Sequence, residues 1–149
     1  MTKAMERKVW LSIVGQSGDD PDHIDKMEFV TEGNIYREQG ASCLTYDESD
    51  VSGMPGTKTT VKVAKDEGKV SVIRLGSVNS IMEFEAGKRL QTMYKTPYGN
   101  IPMGVFTKGL QVDYDDQMEP VKINLDYAVD LEGFGDSDHS LNIEVKDRM

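Results

Sequence analysis

Apolar and polar residues alternate with a period of two along most of this chain. The run Val121 to Leu131 (VKINLDYAVDL) shows it most plainly. Every odd position is apolar, and every even position is polar except Ala128, which is small. Successive side chains of a strand point to opposite faces, so the run predicts a long strand with one buried face and one wet face. Sheets of that kind are antiparallel. Ile123, Leu125, Tyr127 and Val129 should face the core, with Lys122, Asn124 and Asp130 in solvent. A slip of one residue would invert every one of these side chains.

The same period recurs on both sides of this run. Val9, Leu11 and Ile13 predict a first strand, followed by a polar loop over Gly15 to His23 (GQSGDDPDH). Met27, Phe29, Thr31 and Ile35 predict a second strand, whose interior Gly33 marks a bulge or a sharp bend. Leu44, Tyr46 and Glu48 share one face of a third strand, and Thr57, Thr59, Val61 and Val63 one face of a fourth, with Ser52 to Gly56 turning between them. Asp66-Glu67-Gly68 signals a hairpin into a fifth strand, Val70 to Leu75, and Ile81 to Glu85 is the sixth. Leu90 to Lys95, Ile101 to Thr107, the alternating Leu110, Val112 and Tyr114, and finally Leu141, Ile143 and Val145 complete the set. No segment carries apolar residues at the i, i+3, i+4, i+7 spacing of a helix. Many strands joined by short turns leave edges that closure removes. The predicted fold is therefore all-β: one antiparallel up-and-down barrel across residues 1–149, with little or no helix.

Composition narrows the function classes. The 149 residues carry 17 Lys and Arg against 26 Asp and Glu, a formal charge of −9. Phosphate backbones and anionic membranes are bound by basic surfaces, so neither nucleic acid nor membrane is an expected partner. Cys43 is the single cysteine, which leaves no internal disulfide. The first ten residues lack the apolar stretch of a signal peptide, and no apolar run approaches the ~18 residues of a membrane helix. A reducing cytoplasm is the expected compartment.

Several short motifs resemble one family. Tyr46-Asp47-Glu48-Ser49, Gly53-Met54-Pro55-Gly56-Thr57-Lys58-Thr59, Arg74-Leu75-Gly76 and Thr96-Pro97-Tyr98-Gly99 are similar, in order and spacing, to the YwiB-like family of small bacterial proteins. Thr31-Glu32-Gly33 and Asp126-Tyr127 fit the same pattern. The resemblance spans nearly the whole chain. It implies a calycin-like (lipocalin-like) β-barrel of unknown function and carries no activity with it.

The candidate chemistry centres on Arg74. It shares a face with Val70 and Val72, so an inward guanidinium needs a carboxylate or several carbonyls. Glu48 is the first choice, with Glu32 and Asp126 as the others. Such an arginine either anchors an anionic ligand or closes a structural ion pair; an outer-wall position is the third alternative. Tyr46 and Tyr127 lie on the apolar faces of their strands and, with Tyr98 and Tyr114, offer aromatic walls with polar tips. The expected ligand-binding set is Arg74, Glu48, Tyr46, Tyr98 and Tyr127. The Thr96–Gly99 turn connects strands and, at a barrel mouth, could gate a cavity.

No metal site and no cofactor are expected. The cluster Asp19 to Asp25 lacks the sixth-position Gly and twelfth-position Glu of a calcium loop, and Asp113, Asp115 and Asp116 fare no better. The two histidines, His23 and His139, sit in polar, loop-like surroundings with no zinc spacing. Cys43 reads as a small hydrophobe in a strand. No catalytic residue stands out. The leading expectation is a non-enzymatic barrel holding a small, partly apolar, anionic ligand. The alternative is a ligandless scaffold whose outer surface meets a protein partner. An enzyme is the least supported reading, although barrels of this kind do host enzymes. A central cavity of roughly 300 Å³ or more favours the first, a filled barrel the second.

Overall fold

A computed structural model describes residues 4–20, 22–77, 79–133 and 135–147. Among the described residues, ten strands follow one another: β1 (Ala4–Asp20), β2 (His23–Glu38), β3 (Ala41–Asp47), β4 (Lys58–Ala64), β5 (Lys69–Leu75), β6 (Ser80–Glu85), β7 (Arg89–Thr96), β8 (Gly99–Tyr114), β9 (Pro120–Leu131) and β10 (Gly135–Asp147). Among the described residues there is no α-helix; two single 3-10 turns, Asp50–Ser52 and Lys65–Glu67, connect strands. All pairs are antiparallel, in the order β6-β5-β4-β3-β2-β1-β10-β9-β8-β7. The first strand thus zips to the last, and the ribbon curls until β6 and β7 face each other. One bridge, Asn79 to Lys95, joins these edges, so the barrel is nearly closed. The short β6–β7 turn directs its backbone to β8 instead: Gly87 N–H donates to Thr107 O, and Thr107 N–H donates to Lys88 O.

The interior follows the predicted parity. Val9, Leu11 and Ile13 of β1, Val61 of β4, Val72 of β5, Phe84 of β6 and Ile123, Leu125, Tyr127 and Val129 of β9 are all buried. On the outer face of β9, Lys122 is exposed, while Asn124 and Asp130 are half-buried by their neighbours. Gly33 marks neither a bulge nor a break in the β1–β2 register. A Cβ there would come within 2.6 Å of both Leu11 Cδ1 and Thr45 O, so glycine permits a close approach of β2 to its neighbours.

Three boundaries differ from expectation. The polar segment Gly15 to His23 is largely strand. Gly15, Gln16, Ser17 and Gly18 pair with β2 on one side and with β10 on the other. Two hydrogen-bonded ladders satisfy the backbone at the barrel rim, where the side chains need not be apolar. The runs Ile101–Thr107 and Leu110–Tyr114 form one strand, β8. A bulge between Thr107 and Gly109 shifts the inward parity from odd to even. Finally, β10 begins at Gly135, six residues before the apolar alternation at Leu141.

Candidate functional site

Three neighbouring strands bring the predicted polar cluster together. Tyr46 on β3 pairs with Thr59 on β4, and Thr59 pairs with Arg74 on β5, so the three residues form a row across the sheet. Glu48 lies two residues beyond Tyr46, on the same face, and its N–H continues the ladder by donating to Thr57 O at 2.8 Å. The Glu48 side chain is only 1% exposed. Its Oε2 accepts the Thr59 hydroxyl at 2.5 Å and lies 3.7 Å from Arg74 Nε. Glu32 and Asp126, the other candidate partners, are exposed on the outer wall.

The Arg74 side chain is 14% exposed, and its Nε is buried with no hydrogen-bond partner among the described residues. Glu48 thus supplies charge compensation without accepting a hydrogen bond from Nε. A guanidinium has five N–H donors, and a buried one usually satisfies them.

Arg74 forms part of the wall of a cavity of about 580 Å³. The cavity opens at the end of the barrel where the β1–β2 and β9–β10 hairpins turn. Tyr127, His139 and the methionines Met27, Met54, Met82 and Met103 also line it. A second compartment of about 650 Å³ adjoins it at the rim, sharing Ser17, Asp25, Leu131, Ser137 and His139, and is also bordered by Asp22 and Asp136.

Burial sets the charge state of the interior. The Tyr46 phenol is pushed upward by burial and by the Glu48 charge, against the opposing pull of Arg74. Burial likewise raises Tyr127, again with Arg74 opposing. His139 is lowered by burial; Asp138 opposes this, while Arg74 and Lys108 reinforce it. The two phenols stay neutral and the imidazole favours its neutral form, which leaves Arg74 as the cation of the inner wall. Lys26 stands at the rim beside Glu28, at 3.8 Å.

The profile of a family described as a domain of unknown function, DUF1934, matches residues 11–143. The chain belongs to that family. The uncharacterized β-barrel protein YwiB of Bacillus subtilis (strain 168) is 32% identical over 111 residues, which cover 74% of this chain and 75% of that protein. The crystal structure of the ywiB protein from Bacillus subtilis matches with a TM-score of 0.71 at 28% identity, covering 95% of this chain and 94% of that one.

Within this DUF1934 barrel the expected ligand-binding residues take different places. Arg74 and Tyr127 line the cavity, whereas Tyr46 and Glu48 do not; Glu48 lies 3.7 Å from Arg74 Nε. Tyr98 is a correction. It is fully exposed at the tip of the β7–β8 turn and does not line the cavity. The turn that Pro97 and Gly99 shape carries it away from the wall. His139 is the residue the sequence reading missed. It lies in β10, not in a loop. Its ring stacks on Tyr127 at 5.2 Å and 9°, and its Nε2 is 2.7 Å from the Ser137 hydroxyl. The signal was present: Ser137 and His139 share the odd parity of Leu141 and Ile143, whose side chains are buried.

One residue of the acidic clusters has a structural role. Asp115 Oδ1 accepts the N–H groups of Gln117 and Glu119, closing the β8–β9 turn. Pro21 and the side chains of Asp19, Asp20 and His23 lie outside the described residues. Cys43 is buried within β3.

Proposed function

We infer that the barrel binds a small, partly apolar, anionic molecule in its interior, in the manner of calycin-like barrels. The observation that carries this reading is Arg74. Its under-satisfied guanidinium forms part of the wall of a 580 Å³ cavity, well within the size range of ligand sites. Glu48, itself fixed by the Thr59 hydroxyl, compensates the arginine's charge, and the methionines supply adaptable apolar surface. A cavity of this size favours interior binding over a ligandless scaffold. No nucleophile–base pair is needed for the reading, which is non-enzymatic. It assigns the protein to the cytoplasm, where the Cys43 thiol stays reduced.

Native mass spectrometry of the protein purified from its own host tests this. The wild type should carry an added small-molecule mass, and Arg74→Met should lose it. Retention of the same mass by both proteins would remove Arg74 as the anchor. A wild-type spectrum showing the bare polypeptide alone would overturn the reading.

A further inference from the structure

We propose that the cavity takes a planar aromatic monocarboxylate, with its ring laid on the open face of His139 and its carboxylate on the guanidinium of Arg74. This rests on the interior-binding reading and adds the ligand class.

The first observation is a column of rings. Phe84, at the centre of the core, packs tilted against Tyr127 with centroids 4.6 Å apart. Tyr127 in turn stacks on His139 at 5.2 Å with 9° between the planes. The column runs from the core outward and ends at His139, which lines both compartments of the cavity. Among the described residues no further ring covers the second face of His139. Offset stacking is the favoured arrangement of aromatic neighbours, so that face is a prepared seat for one more ring. Ser137 fixes the orientation of the imidazole through Nε2. Burial keeps the imidazole toward its neutral form, so it is a stacking surface first.

The second observation is the apolar lining. Met27, Met54, Met82 and Met103 line the same cavity as His139. Thioether sulfur makes favourable contacts at the edges of aromatic rings, and flexible methionines close around a flat shape.

The third is charge. Arg74 offers a planar fork of donors with no hydrogen bond from Nε to any described residue, and a carboxylate matches it. Only one negative charge is favoured. Glu48 already lies beside Arg74, the rim carries Asp22, Asp25 and Asp136, and the whole chain is at −9. A polyanion would meet repulsion along its entry.

The test uses the full chain, freed of host ligand by unfolding and refolding, and isothermal titration with three probes. These are naphthoate, its saturated counterpart decalin carboxylate, and the uncharged naphthylmethanol. Naphthoate should bind, and each of the others should bind about tenfold more weakly, the upper size of a stacking or charge contact. His139→Phe should keep naphthoate affinity, because it keeps a ring. His139→Leu should lose roughly tenfold for naphthoate while leaving decalin carboxylate unchanged. Equal affinity for the aromatic and saturated acids would overturn the aromatic assignment and leave interior anion binding standing. So would a host-derived mass, lost in Arg74→Met, from a protein that takes up neither acid. If neither acid binds and no mass is retained, the proposal and the reading beneath it fall together.

Discussion

Replacing Arg74 with methionine removes its charge but keeps most of the apolar stem, so the loss is mainly electrostatic. Two unit charges 3.7 Å apart attract by about 4.5 kcal/mol at an effective dielectric constant of ~20. The variant leaves the Glu48 carboxylate facing a protein interior from which it is 1% exposed. The carboxylate is left without its compensating charge. The expected destabilisation of ligand-free Arg74→Met is therefore about 3–5 kcal/mol, as for other broken buried pairs. Urea unfolding measures it. A melting scan should show the loss as a drop of roughly 6–20 °C. Arg74→Met combined with Glu48→Gln should recover at least ~1 kcal/mol, because the amide is neutral and still accepts the Thr59 hydroxyl. A single variant within about 1 kcal/mol of wild type would refute the picture of a buried carboxylate compensated by Arg74.

Gly33→Ala should destabilise by about 1–3 kcal/mol in urea, since the new methyl meets the side chain of Leu11 and the carbonyl of Thr45. A neutral result would show that β2 can move away from its neighbours. Leu125→Ala should cost about 2–5 kcal/mol and Lys122→Ala less than about 0.5 kcal/mol, a contrast set by parity within one strand. His139 has a lowered pKa in the folded protein, so the unfolded chain binds its proton first as pH falls. Its contribution should therefore weaken stability as pH drops below the unfolded value of ~6.5, and the stability difference between wild type and His139→Asn should move against wild type from pH 7 to pH 5.

The alternation of apolar and polar residues is a local property, and it was enough to set the strands, their parity and the barrel class. Val121 to Leu131 buries its odd residues because a strand can have only two faces and one of them must be dry. The same parity rule set Arg74 on the face of Val70 and Val72, and Glu48 on the face of Leu44 and Tyr46; that this face of β5 is the interior was decided by the closed sheet. What the pattern could not carry is anything that depends on which strands meet across the barrel. Gly15 to Gly18 form strand because β2 and β10 bond them from both sides, and their composition says nothing of those neighbours. His139 reads as a loop residue until β9 places Tyr127 against its ring and the closed sheet sets it in the wall of a cavity. The cavity itself is a mismatch between the circumference of ten strands and the volume of the side chains that fill one end. Periodicity records which way a residue points; only the closed sheet decides what it points at.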